Sequence, residues 1–177
     1  TCYMKKILIL SLIAMLTFGC TNSKKAVEEP MKEKETASIC PEDGTCTSKI
    51  YINQQLHIQV DETGALYYRL TENKNTSVIS YEYKKHTDST LVDNHYSETI
   101  LLEIDNNSKE LDLKDKNLQN VKMLFDKQCF SRGQAGVYKI TNGHLVFTKE
   151  NELNIIQLAF EIQNINQKLK TIQFSLK

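Results

Sequence analysis

The sequence predicts a mainly β fold, either an antiparallel β-sandwich or a small β-barrel of about eight or nine strands, with one short helix near residues 115–128. Apolar and polar residues alternate along most of the chain after residue 49, which is the period of a strand with one buried face. Strand-forming residues are plentiful, with eight Tyr and six Phe, whereas Trp is absent and Pro occurs only twice. Short polar clusters separate the alternating runs, as is typical of all-β proteins.

The alternating runs predict a succession of strands along the chain. The first covers residues 49–60, whose apolar residues share one parity, and it is expected to bend at the polar stretch after Asn53. The later runs predicted as strands are 65–71, 77–83, 96–104, the residues around Leu111 and Leu113, 137–140, 145–147, 156–162 and 172–176.

One segment, Asp115 to Gln128, has the helical period instead. Its apolar residues follow the i, i+3, i+4, i+7 spacing, and they are Leu118, Val121, Leu124 and Phe125. Asp115 is a residue type that caps the first turn of a helix. Further along, Asn142-Gly143 separates two apolar runs, which predicts a tight hairpin there.

Residues 1–19 predict a bacterial lipoprotein signal peptide, and the residues before Met4 are interpreted as upstream of its start. Lys5 and Lys6 precede an apolar run from Ile7 to Phe18. A helix of that length reaches about 18 Å, which is short of the hydrocarbon core of a bilayer at about 30 Å. We therefore expect a signal segment rather than a permanent membrane span.

Cys20 is the predicted lipidation site. The stretch Leu16-Thr17-Phe18-Gly19-Cys20 resembles the lipobox of bacterial lipoproteins, although its Leu lies one place early and Phe18 replaces a smaller residue. The resemblance implies a diacylglyceryl group on the Cys20 sulfur and an acyl chain on its new amino terminus. Several acyl chains anchor a protein stably where one does not. The alternative is a plain secretory signal with an incidental Cys.

Residues 20–38 are predicted to be this lipidated Cys and a flexible charged tether, followed by a single β-rich domain over residues 39–177. The tether is rich in Lys and Glu and has no aromatic residue, so it buries too little apolar surface to offset the entropy of ordering. In lipoprotein sorting, an Asp after the lipidated Cys is the common signal for retention at the inner membrane. Because Thr21 follows Cys20, the resemblance implies the outer membrane of a Gram-negative cell envelope, with a periplasmic or surface-facing domain.

Cys40 and Cys46 enclose a short loop in which Pro41 and Asp43-Gly44 supply turn chemistry. An exported protein meets an oxidising compartment, which favours a Cys40–Cys46 disulfide. The loop lacks the further Cys or nearby His of a metal site and the C-x-x-C spacing of a redox site. The alternative pairing joins one of them to Cys129, which is otherwise expected to be a buried free thiol.

The CPEDGTC loop, placed after a lipoprotein leader and a charged tether, resembles a group of small flavobacterial lipoproteins without a known activity. The stretch 129–136 (CFSRGQAG) is similar to a second segment of that group. This resemblance covers most of the chain after Cys40. It implies the location and the fold, and it implies no enzymatic activity.

Four side chains within ten residues form the only metal-like cluster of the sequence, and they are His86, Asp88, Asp93 and His95. No rigid element fixes them, so a polar loop is the preferred interpretation. The run 105–110 resembles a calcium loop, but it lacks the required Gly and has Lys109 at a ligand position. No metal or cofactor is therefore predicted.

Three other features have a structural and a functional interpretation. Asp88-Ser89-Thr90 is similar to a bacterial O-glycosylation pattern, although an unmodified loop is favoured. Arg132 beside two glycines could bind an anion, but a flexible loop is the preferred explanation. A row formed by Tyr81 and Tyr83 is expected to pack a core before it forms a ligand face.

The composition argues against nucleic-acid binding, because the 22 basic and 22 acidic residues balance and no basic cluster is present. No nucleophile motif occurs in the sequence. The leading hypothesis is a lipid-anchored envelope protein that is non-enzymatic and has a binding or structural role. The alternatives are a small barrel that carries a ligand in a cavity lined by Tyr67, Tyr81 or Phe160, and a hydrolase whose site is assembled from distant strands.

Overall fold

The computed structural model describes residues 40–88, 90 and 94–177. The predicted signal peptide, Cys20 and the tether lie outside the described residues. In this described part of the chain eleven strands form two antiparallel sheets, which confirms the predicted mainly β class with two or three more strands than expected. The strands are β1 (Gly44–Tyr51), β2 (Gln54–Val60), β3 (Leu66–Glu72), β4 (Thr76–Lys85), β5 (Tyr96–Asp105), β6 (Glu110–Lys114), β7 (Leu124–Cys129), β8 (Gly136–Lys139), β9 (Gly143–Glu150), β10 (Leu153–Phe160) and β11 (Thr171–Leu176).

The large sheet has seven strands in the order β1-β4-β5-β7-β8-β3-β2, and the small sheet has the order β11-β10-β9-β6. Within residues 40–177 as described, neither sheet closes on itself, so the sandwich is the architecture rather than the closed barrel. The main core lies between the sheets, where Tyr81 stacks on Phe174 with 4.7 Å between ring centroids and Phe125 packs on Phe160 at 5.7 Å. No helix in the described part is long and apolar enough to cross a membrane.

The sandwich has two distinct ends. At the proximal end the chain enters at Cys40, and a salt bridge of 2.8 Å between Asp43 and Lys168 joins the start of β1 to the loop between β10 and β11. At the distal end are the turns that follow β1, β3, β5 and β9. The pairing registers define this polarity, because Gly44 pairs with Lys85 while Tyr51, at the other end of β1, pairs with Val78.

The large sheet is strongly curled, so that the β2–β3 hairpin covers part of the outer face of its own middle strands. A single residue pair, Leu66 with Val137, joins β3 to β8. Beyond this junction the hairpin packs on the sheet and closes a second, smaller core. The fully buried members of this second core are Leu56, Val78, Leu101 and Leu124.

The free edge of β2 is covered by an ion pair between Glu103 of β5 and Lys122, which lies just before β7. The Glu103 carboxylate accepts hydrogen bonds from the Leu56 N–H and the Lys122 ammonium, each at 2.7 Å, and Lys122 also donates to the Leu56 carbonyl at 3.1 Å. An uncovered strand edge is a template for pairing with other chains. Glu103 and Lys122 therefore hydrogen-bond the N–H and the carbonyl of Leu56 at this edge, so these groups need no further strand as a partner.

The prediction of a helix over 115–128 is wrong in its second half. A 3₁₀ helix covers Asp115–Val121, and Leu124–Cys129 is strand β7. Leu124 lies in the second core and Phe125 in the main core, and only a strand directs adjacent residues to opposite faces. Asp115 does not cap this helix, because Lys114 occupies the cap position and the Asp115 Oδ1 instead accepts a hydrogen bond from the Gly143 N–H at 3.1 Å.

The predicted Asn142-Gly143 hairpin is also wrong. The flanking strands β8 and β9 belong to different sheets, so this turn carries the chain across the sandwich. Gly143 is required by close packing, since a Cβ there would lie 2.4 Å from the Ala159 carbonyl oxygen. The hairpin between β9 and β10 turns instead at Asn151 and Glu152, both with positive φ.

Residues 49–60 are not one bent strand. Strand β1 ends at Tyr51, and Asn53 in the turn that follows adopts a φ of 57°. β1 then pairs with β4, whereas β2 pairs with β3. The apolar residues of β1 and β2 have the same parity in the sequence, although they pack in different places. Ile50 contacts the main core, whereas Leu56 lies in the second core.

Candidate functional site

The Cys40–Cys46 loop is a structural clamp at the proximal end. The predicted disulfide is present, with 5.8 Å between the Cα atoms, and Cys129 is a half-buried free thiol. Closing so short a loop contributes about 2 kcal/mol to stability. Within the loop, Asp43 accepts hydrogen bonds from Lys168 and Tyr83, each at 2.8 Å, and these bonds, that from Lys168 most, lower the pKa of its carboxyl group.

The metal-like cluster of the sequence is not assembled among the described residues. His86 Nε2 lies 2.9 Å from the Thr45 hydroxyl, and Asp88 accepts hydrogen bonds from the N–H and the hydroxyl of Thr90 in a local turn. Asp93 and Ser89 lie outside the described residues, and His95 is exposed. Nowhere in the described ranges do three His, Cys, Asp or Glu side chains lie close enough to share a metal ion.

The aromatic candidates do not form a ligand-binding surface. Tyr81 and Tyr83 are fully buried, as their core interpretation predicted, and Tyr83 donates to Asp43. Phe160 packs in the same core, whereas Tyr67 is exposed on the outer side of the β2–β3 hairpin, so these rings line no common cavity. Arg132 lies exposed in the loop between β7 and β8.

A buried polar network at the proximal end was missed by the sequence analysis. Glu98 has no exposed surface, and its carboxylate accepts hydrogen bonds from the Tyr96 hydroxyl and from the Lys168 and Leu169 N–H groups, the latter two at 2.7 Å. Lys127 is 3% exposed and donates to the Asn166 carbonyl. Each group holds the loop between β10 and β11, which indicates a structural role.

A sequence signal for Glu98 was present. It shares the parity of Ile100 and Leu102 in β5, both of which are fully buried. An acidic residue at a core position of an alternating strand is therefore expected to be buried and hydrogen-bonded. Its backbone partners were not predictable, because they lie 70 and 71 residues along the chain.

The cleft at the distal end is the best candidate for a functional site. It opens between the two sheets and has a volume of about 270 Å³. Its floor is formed by core side chains, namely Ile79, Ile104 and Phe147, and Ile52 stands beside it with 66% of its surface exposed. Binding sites in proteins are commonly concave and apolar, with a few polar groups at fixed positions.

The polar rim of this distal cleft is held rigidly on one side. Asn106 accepts a hydrogen bond from the Ser77 hydroxyl at 2.6 Å and donates to the Lys74 carbonyl at 2.9 Å. On the opposite side Glu152 adopts a φ of 66°, which is uncommon for a residue that is neither Gly nor Asn. Together with Asn151 it forms the two-residue turn between β9 and β10, in which both central residues have positive φ.

Three charged side chains on the rim remain available to a ligand. Lys149, Glu152 and Lys177 line the distal cleft and make no side-chain hydrogen bond or ion pair within the described part of the chain. The lining contains no His or Cys, and its polar side chains are serine hydroxyls, asparagine amides, carboxylates and lysine amines. This arrangement suits binding of an amphipathic ligand or of an apolar side chain on a partner.

A wider cleft of about 590 Å³ lies beside β8, and turns form most of its wall. Gly64 and Gly136 contribute backbone only. The Tyr138 hydroxyl is already engaged, because it donates to the carbonyls of Gln134 and Ala135 at 3.3 Å. Its remaining polar side chains come from the end of β8 and from turns, whereas the floor of the distal cleft is formed by side chains of the main core.

Comparison of the chain with protein-family models, with curated proteins and with solved structures finds no match.

Proposed function

We propose that this protein is a lipid-anchored component of a Gram-negative cell envelope, located at the outer membrane, whose β-sandwich is a non-enzymatic binding module. The observation that carries the proposal is the polarity of the domain. The tether joins the sandwich at Cys40, at its proximal end, and the distal cleft opens at the other end. The eight residues of β1 separate the two ends by about 27 Å. In an anchored protein of this form, the cleft lies at the end of the domain opposite to the point where the tether joins it.

Two further features support this proposal. The Cys40–Cys46 disulfide suits an oxidising compartment outside the cytoplasm. The polar groups around the distal cleft are asparagine amides, serine hydroxyls, lysine amines and carboxylates on a rigid sandwich, and each can form a hydrogen bond or an ion pair with a ligand. The proposal includes no cofactor, and the formal charge balance of the sequence gives no reason for a nucleic-acid partner.

The anchor is tested by the variant Cys20→Ala, expressed as the full chain in a Gram-negative host with labelled palmitate. We expect the wild-type protein to incorporate the label and to partition into detergent, and the variant to do neither, because its residue 20 has no sulfur to acylate. Cys129→Ala is the matched control and should label normally. Continued labelling of the Cys20 variant would refute the anchor.

The distal cleft is tested by placing a photo-crosslinking amino acid at Ile52 in the anchored full chain. Because Ile52 stands exposed beside the cleft floor, we expect irradiation of intact cells to give one discrete adduct. Gln157 is exposed on the outer face of the small sheet and is the matched control, with no such adduct expected. The same adducts from both positions, or none from Ile52, would contradict a binding role for the cleft.

A further inference from the structure

A second concave surface lies on the outer face of the large sheet, where the curled β2–β3 hairpin leaves part of that face open. This outer-face groove has a volume of about 350 Å³. Its floor consists of side chains from β1, β4, β5 and β7, and Tyr68 and Leu70 of β3 form one wall. It is separate from the distal cleft, with which it shares no lining residue.

One row of side chains crosses the whole floor of this groove. Thr47 pairs with Glu82, Glu82 with Thr99, and Thr99 with Asp126, so these four residues stand side by side on neighbouring strands. Three interstrand spacings give this polar row a length of about 14 Å. Hydroxyl and carboxylate groups alternate along it.

The Asp126 end of the polar row is partly withdrawn from water. Burial raises the pKa of the Asp126 carboxyl, and the nearby Glu82 raises it further, while hydrogen bonds from Gln128 and from the Tyr68 hydroxyl, the latter at 3.2 Å, act in the opposite direction. A carboxylate can accept about four hydrogen bonds, so these two leave capacity for a ligand. A carboxyl group that lies in a concave surface and whose charged form is disfavoured by burial is characteristic of functional sites.

The charges around the polar row favour a neutral ligand. Glu82 forms a salt bridge of 3.1 Å with Lys84, and Lys49 on β1 balances Asp126, so the lining of the groove has no net charge. Amines and threonine hydroxyls donate hydrogen bonds, while carboxylates accept them in pairs. Tyr51 adds an exposed aromatic ring at the side of the groove, which can pack on an apolar ring face.

We propose that the outer-face groove binds a short oligosaccharide along the polar row. A chain of sugar rings presents hydroxyl groups at intervals along its length, and each carboxylate of the row accepts hydrogen bonds from neighbouring hydroxyls. The threonine hydroxyls both donate to and accept from the same ligand. The length of the row matches a ligand of a few rings, and the absence of net charge disfavours phosphate or polyamine ligands.

The experiment is isothermal titration calorimetry of the full chain in lauryldimethylamine oxide, a detergent without a sugar headgroup. The probes are cellotriose, maltotriose and the trimer of N-acetylglucosamine. We expect at least one to bind, and we expect Asp126→Asn and Thr99→Val each to weaken that binding about tenfold. Asp112→Asn, on the small sheet, is the matched control and should leave it unchanged.

Thermal melting shows whether the two row variants are folded. Burial disfavours the charged form of the Asp126 carboxyl, so removing this charge does not remove a net stabilising interaction of the charge with its surroundings. We therefore expect Asp126→Asn to melt at the wild-type temperature. The proposal is overturned if no probe binds up to about 10 mM, or if binding is insensitive to both row variants. Calcium chloride binding at the row in place of every sugar would also overturn it.

Discussion

Replacing Glu98 with Ala is expected to lower the free energy of unfolding by about 4 kcal/mol. The change leaves the Tyr96 hydroxyl and the N–H groups of Lys168 and Leu169 without their acceptor in a region closed to water. Each unsatisfied buried donor costs about 1–3 kcal/mol. Urea denaturation followed by near-ultraviolet circular dichroism measures the loss, since the tyrosines of the core report on packing.

Two comparisons separate this effect from a general effect of removing a carboxylate. Glu98→Gln keeps one acceptor oxygen, so a smaller loss is expected than for Glu98→Ala. Glu161→Ala removes an exposed carboxylate near the same loop and should change stability by no more than about 0.5 kcal/mol. If Glu98→Ala unfolded at the same urea concentration as Glu161→Ala, the buried network would not hold this loop.

Gly143→Ala is expected to cost about 3 kcal/mol of stability. The new Cβ would lie 2.4 Å from the Ala159 carbonyl oxygen and 2.9 Å from Phe160 Cα. Both are backbone atoms of β10, which pairs with β9 and β11, so neither can move without disturbing the small sheet. The shift of the urea midpoint relative to the wild-type protein measures this cost.

Gly133→Ala is the matched control for this clash. Gly133 has a φ of 72°, and a Cβ added there would have no atom within 4 Å, so only backbone strain of about 1 kcal/mol is expected. A loss for Gly143→Ala no larger than for Gly133→Ala would show that the small sheet yields to the added methyl group.

The fold class and the disulfide were predictable because they depend on local signals. Tyr81 and Tyr83 share the parity of a strand face, and Cys40 and Cys46 lie on either side of a turn. Strand partners were not predictable in the same way. Ile50 and Leu56 have the same parity in the sequence but belong to different cores, because the large sheet curls back on itself.

The error at Leu124 and Phe125 has the same origin. If only one face of a strand is buried, apolar and polar residues alternate along it. Two adjacent apolar residues therefore favour a helix under that assumption. Here β7 is covered on both faces, by the small sheet on one side and by the β2–β3 hairpin on the other, so both residues are fully buried. Strands covered on both faces have nearly continuous apolar runs.

The candidate site was the least predictable part of the molecule. Asn106, Lys149 and Glu152 lie in or beside turns whose polar residues resemble those of any other turn in the sequence, and Ser77 lies at the start of β4. They meet only because the two sheets place their distal ends together. The polar row is similar, since its four residues come from four strands and each is separated from the next in the row by between 17 and 35 positions in the chain.

The disulfide also determines how the domain responds to mechanical force. A pull on the chain before Cys40 passes through the sulfur atoms to Cys46, inside β1, and does not load the residues between them. Beyond that point β1 is held by pairing along its whole length with β4. Tension applied to the chain before Cys40 therefore reaches β1 two residues inside its hydrogen-bonded ladder with β4, and not at the end of that ladder.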